Sequence, residues 1–151
     1  MAPRAKHPRI KIRPAKLKDA ARIAKLSGQL GYPTTAVEMR KRLALVLGDQ
    51  SAACCVALTV KGKAIGWVHA SVTPLLEVER RMEVHGLVVD EQLRNRGAGW
   101  QLLEAVEEWA LKMNCKSVSV RSNVIRERAH TFYQKHGYEQ YKTQKAFRKL
   151  L

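Results

Sequence analysis

No run of 18 apolar residues occurs in this 151-residue chain. A membrane-spanning helix of ordinary length is therefore not expected. The basic opening segment has no apolar h-region, so it does not read as a secretory signal. Cysteine is scarce: Cys54, Cys55 and Cys115 show no CxxC spacing, and the expectation is buried free thiols in a reducing cytoplasm. Acidic residues are the third shortage. Thirteen Asp and Glu face 28 Lys and Arg, for a net charge of +15. The imbalance sits at the two ends: residues 1–48 carry twelve Lys/Arg against Asp19 and Glu38, and residues 112–151 carry ten against Glu127 and Glu139. Such a surface draws polyanions in general, which is a weak argument for specific nucleic-acid binding. No internal repeat or low-complexity segment is present, and the length suits one core.

The informative stretch runs from Glu83 to Gly99 and on into a helix ending near Asn114. Leu87-Val88-Val89 is apolar and mostly β-branched, as in a buried strand. Residues 90–95 are largely polar, as in a loop. Arg94-Asn95-Arg96-Gly97-Ala98-Gly99 then opens an apolar pattern at Leu102, Leu103, Val106, Ala110 and Met113, spaced for one helix face. Amides at a helix start lack intrahelical partners and carry partial positive charge. Glycines there let a phosphate approach the backbone, and Arg94 and Arg96 add charge. This favours a pyrophosphate site over a simple turn with solvated arginines. The familiar alternatives fail: GxxxxGK[ST] is absent, the third glycine of GxGxxG is missing, and no βαβ repeat is evident.

The remaining segments read in order. Residues 1–8 form a basic arm outside a single domain of residues 9–151. Arg9 to Arg13 alternates as a first strand. Asp19 to Leu26 is helical, with Ser27-Gly28 as its stop. Thr35 and Glu38 form a capping-box pattern ahead of a second helix that Gly48 ends. Residues 53–60 and 64–72 are strands joined at Lys61-Gly62-Lys63, and residues 81–89 are the central strand. Residues 116–121 are another strand, and Glu127 to Lys135 a short helix. Tyr138 to Lys142 and Ala146 to Leu150 read as a final hairpin. Trp67, Trp100 and Trp109 read as structural.

Two blocks carry a resemblance. Arg94 to Gly99, R-N-R-G-A-G after an apolar strand, matches Q/R-x-x-G-x-G/A. Asn123 followed by Ala129-His130-Thr131-Phe132-Tyr133 and Gly137-Tyr138 matches N…A-x-x-F-Y-x-x-x-G-F/Y. Together, in this order, they resemble the GNAT superfamily of acyl-CoA-dependent N-acetyltransferases. Ile12-Arg13-Pro14-Ala15 looks like the family's opening. The C-terminal half is most similar to small bacterial members such as aminoalkylphosphonate N-acetyltransferase. The likeness is weaker before Glu83, and Gly86 and Trp100 are atypical.

The resemblance implies a mixed α/β (α+β) fold. Its sheet would be mostly antiparallel, with about six or seven strands and about four flanking helices, split beside the central strand. It implies acetyl-CoA as co-substrate, no metal, and direct transfer of the acetyl group to a primary amine. Leu87, Val88 and Val89 would pair with pantetheine through a bulged backbone that Gly86 permits. Arg94, Asn95, Arg96, Gly97, Ala98 and Gly99 would hold the pyrophosphate. Asn123, Ala129, Phe132 and Tyr133 would line the cofactor, though Asn123 equally suits a turn. Tyr133 would protonate the leaving thiolate, against the reading of a packed helix tyrosine. Glu83 or His85 would deprotonate the amine, with His69 able to join them. Two further functions compete: a protein or peptide acetyltransferase, and an acyl-CoA-sensing nucleic-acid-binding or regulatory module. Expected partners are a small amine acceptor and no membrane; a homodimer stays open, and the expected compartment is the cytoplasm.

Overall fold

A computed structural model describes residues 9–94 and 96–151. The expected arm of residues 1–8 and the loop residue Asn95 lie outside the described residues. These fall into two compact units, one ending at Arg121 and one spanning Ser122–Leu151.

The first unit is a five-stranded sheet in the order β1 (Lys11–Pro14), β2 (Ala52–Leu58), β3 (Ala64–Val72), β4 (Arg81–Val89), β5 (Ser117–Val120). The first four strands pair antiparallel. β5 runs parallel to β4 because helix α3 (Ala98–Lys112) carries the chain back before it starts. Helices α1 (Ala20–Leu30) and α2 (Ala36–Leu47) cover one face. There Ile23, Leu26 and Leu43 pack with Cys54, Val56, Trp67 and Val88. α3 covers the other face with Leu102, Leu103, Val106 and Ala110, the stripe expected from spacing.

Caps follow the residue chemistry. Thr35 Oγ1 accepts the Glu38 amide at 3.1 Å and starts α2. α1 runs past the expected stop at Ser27-Gly28. It ends at Gly31, whose φ of 96° closes the helix in the left-handed conformation. Among the described residues no helix is long and apolar enough to cross a membrane. Cys54, Cys55 and Cys115 are free, and burial pushes the Cys54 thiol up to about 12.

The second unit holds α4 (Glu127–Lys135), closed at Gly137 with a φ of 87°. Here the sequence expectation fails. No strand follows β5 among the described residues, so the count is five rather than six or seven, and the final hairpin does not form. Residues 139–151 are exposed throughout, including Phe147 and Leu150. An alternating pattern makes a strand only where one face finds a surface to bury against.

Candidate active site

The central strand β4 is irregular at one point. Its pairing with β3 runs Ser71↔Glu83 and Ala70↔Val84, then jumps to His69↔Gly86, which leaves His85 as the extra residue of a β-bulge. The parallel pairing with β5 stops at Val84↔Val120. Among the described residues, β4 beyond Val84 therefore has a strand partner on the β3 side alone, and the sheet splits there. Leu87, Val88 and Val89 lie along this half-free segment. The Val88 side chain belongs to the core with Trp67, so only its backbone can meet a ligand. Gly86 has a further reason for being glycine: a Cβ there would stand 2.7 Å from Trp67 Cη2.

In a regular strand Glu83 and His85, two residues apart, share a face, and the bulge falls on His85 itself. Even as the extra residue, His85 lies on the face that Glu83, Ser71 and His69 share. Its Nε2 is 2.6 Å from Ser71 Oγ, and the His69 and His85 ring centroids are 4.9 Å apart. His85 is exposed, whereas His69 and Ser71 are half-buried. Burial and the charge of His85 hold His69 below the usual histidine range, against a smaller pull from Asp49. Glu83 Oε1 is 3.1 Å from Arg121 Nε, with the glutamate side chain 13% exposed.

After β4 the chain turns through a 3-10 segment, Glu91–Leu93, into the glycine turn. Sequence reading missed what fixes this loop. Asp90 is buried and accepts from Arg22 Nη2 at 2.8 Å, while Arg22 Nε donates to the Ala64 carbonyl at 2.7 Å. Gln29 Oε1 accepts the Glu91 amide at 2.9 Å. Burial alone would raise the Asp90 carboxyl. Hydrogen bonds from the Gln92 amide, Arg22 and Gln29 outweigh it and hold the group below the usual carboxylate range. The signal was a polar Asp at a strand end with an Arg 68 positions earlier, which no local pattern connects.

Gly97 caps α3 with a φ of 83°, a conformation that costs other residues strain. The Gln101 amide bonds the Gly97 carbonyl, so the amides of Ala98 and Gly99 precede the first helical acceptor. Arg94 is half-buried and Arg96 exposed. Arg96 also borders a cavity of about 310 Å³ with Arg9 and Lys61 over an apolar floor of Ile10, Val60 and Leu93.

In the second unit, Tyr133 packs edge-on against Phe132 and Tyr138, at centroid distances of 5.2 and 5.8 Å. Burial pushes the Tyr133 phenol up to about 12, with Arg126 pulling the other way. It therefore holds its proton at neutral pH. Asn123 Oδ1 accepts the Ile125 amide at 3.1 Å, the turn-forming arrangement. Ala129 and Phe132 are half-buried on α4. Among the described residues no group of three or more His, Cys, Asp or Glu is placed to hold a metal ion.

Comparison with known proteins bears on this arrangement. An uncharacterised N-acetyltransferase of Methanocaldococcus jannaschii is 29% identical over 94 residues, covering 61% of this chain and 42% of that protein. The chain thus spans less than half the length of that relative. Among solved structures, the aminoglycoside N-acetyltransferase AAC(6')-Iy, solved with a CoA-containing bisubstrate analogue, superposes with a TM-score of 0.83 at 20% identity, covering 95% of this chain and 99% of that one. A transcriptional regulator from Bacillus halodurans C-125 superposes with a TM-score of 0.80 at 19% identity, covering 92% and 100%. At these identities the likeness is one of fold. The model of the Acetyltransferase (GNAT) family matches residues 19–138, a span that holds the split strand, the glycine turn and the Phe132-Tyr133 helix. By that match the chain belongs to the acetyltransferase (GNAT) family.

Proposed function

We propose that this chain is a single acetyltransferase domain that moves the acetyl group of acetyl-CoA directly to a primary amine of a small molecule. The carrying observation is the split of the sheet at the His85 bulge, followed at once by the Gly97-capped helix. A half-free strand can pair with a peptide-like pantetheine chain, and the helix start with Arg94 and Arg96 suits a pyrophosphate. The amine nitrogen attacks the thioester carbon, forming C–N as C–S breaks. The match of Phe132-Tyr133 to the family's second sequence block gives the Tyr133 phenol the role of protonating the thiolate, and the phenolate is reprotonated from the nitrogen's remaining excess proton through solvent. Glu83 and His85 are the candidates for deprotonating the incoming ammonium.

AAC(6')-Iy, a fold neighbour, was solved with an acetylneamine-linked CoA analogue, which supports a small amine over a protein acceptor. The aminoalkylphosphonate-like sequence features of the C-terminal half, together with the cationic ends of the chain, favour an acceptor that also bears an anionic group. The test is acetyl-CoA turnover across a panel of amines, read by thiol release. The panel includes an aminoalkylphosphonate, an aminoglycoside and peptides, each at low and high salt. Turnover of small amines supports the proposal. Peptide-only turnover would make the protein acetyltransferase reading correct instead. Preference for the aminoglycoside that weakens with salt would sink the anionic-acceptor reading.

A further inference from the structure

We propose that His85 is the group that accepts the amine proton, and that Ser71 is its positioning residue, holding the His85 ring so that Nδ1 is the free acceptor. This rests on the acetyltransferase reading above. The geometry carries it. Ser71 Oγ stands 2.6 Å from His85 Nε2, so one ring nitrogen is committed and the other is left. With Nε2–H donating to Ser71, Nδ1 holds the lone pair. His85 reaches this hydroxyl from the extra position of the bulge. A regular β4 would set His85 directly opposite His69; the bulge gives that place to Gly86. Ser71 lies two residues from His69 on β3, so the two share a face.

The charged groups around His85 favour it over its rival. On β4 itself, Glu83 is paired with Arg121, from the end of β5, and is largely covered, whereas His85 is exposed to an incoming ligand. From β3, His69 lies with its ring centroid 4.9 Å away. Asp49, in the turn between α2 and β2, acts on His69 and accepts from Ser51. Burial, and then like charge from His85, disfavour the charged form of His69, so His69 adds little standing positive charge beside the His85 ring. The proton count closes simply. The ammonium proton passes to His85 Nδ1, giving imidazolium, and leaves to water; the neutral amine then attacks.

The test pairs kinetics with a measurement that needs no turnover. kcat/KM is followed against pH for the wild type and for H85Q, S71A, S71T and E83Q, with acetyl-CoA binding monitored separately by thermal shift. H85Q is expected to lower kcat/KM by about 100-fold or more and to erase its fall at low pH. S71A should cost roughly tenfold, in keeping with one lost hydrogen bond, and S71T should restore it. E83Q should keep the low-pH fall. Nitrogen-15 NMR of the histidine rings should show the Nε2–H form of His85 in the wild type and its loss in S71A. A low-pH fall that survives H85Q, or vanishes in E83Q, overturns the proposal. So does a His85 tautomer indifferent to S71A, even if no amine is turned over. Absence of turnover with every amine, alongside the expected NMR result, would instead defeat the acetyltransferase reading.

Discussion

Gly86→Ala is the smallest change that tests how the bulged strand is held. A Cβ at this position would lie 2.7 Å from Trp67 Cη2 and 2.8 Å from Cζ3. Carbon atoms in ordinary contact sit at about 3.5–4.0 Å, so one methyl intrudes by about an ångström. Trp67 cannot swing away cheaply, because it is 9% exposed and belongs to the core beneath α1 and α2. Either the indole or β4 must move, and overpacking of this kind costs about 1–3 kcal/mol. For a chain of this size that is a fall in Tm of roughly 2–12 °C. Because His85 precedes Gly86 in the bulge, the same displacement should lower kcat/KM. Removing the intruding indole atoms should relieve it. W67F/G86A is therefore expected to be less destabilised than the sum of the single changes, with a coupling above about 0.5 kcal/mol. Chemical denaturation of the four proteins measures this. A G86A variant within about 0.5 kcal/mol of wild type, or single effects that simply add, would show that Trp67 does not demand the glycine.

Further outcomes follow from the same structure. Gly99→Val, placed at the second residue of α3, should abolish the rise in Tm that CoA produces while leaving the protein folded, since a branched side chain would block the phosphate's approach; a retained CoA shift in the folded variant would remove the pyrophosphate assignment. Tyr133→Phe should lower kcat by about 100-fold with little change in CoA affinity, and wild-type turnover would return Tyr133 to a packing role with Phe132 and Tyr138. The Asp19 carboxyl is held below the usual range chiefly by Arg13, which donates to it at 2.8 and 3.0 Å. Its folded pKa lies below the unfolded one, so its stabilisation is present above the unfolded value, about 3.9, and is lost as pH falls through the folded one. Urea titrations should show Asp19→Asn less stable at neutral pH but losing less on acidification; equal pH slopes would refute the linkage.

What the sequence by itself determined was local. Thr35 and Glu38 announce the start of α2 because a cap needs only neighbours along the chain. The apolar stripe Leu102, Leu103, Val106, Ala110 announces α3 and its buried face, and the strand–glycine-turn–helix order from Glu83 to Gly99 was legible for the same reason. Tertiary structure decided whatever depends on the register between distant strands. The two-residue spacing of Glu83 and His85 says nothing of a bulge, which exists only in β4's pairing with β3. The Ser71–His85 contact, the Arg121–Glu83 pair and the Arg22–Asp90 anchor each join segments 14 to 68 positions apart. The missing hairpin shows the converse. Residues 138–142 and 146–150 read as the two strands of a hairpin, yet a strand-like pattern supplies only one side of a buried interface, and residues 139–151 are exposed.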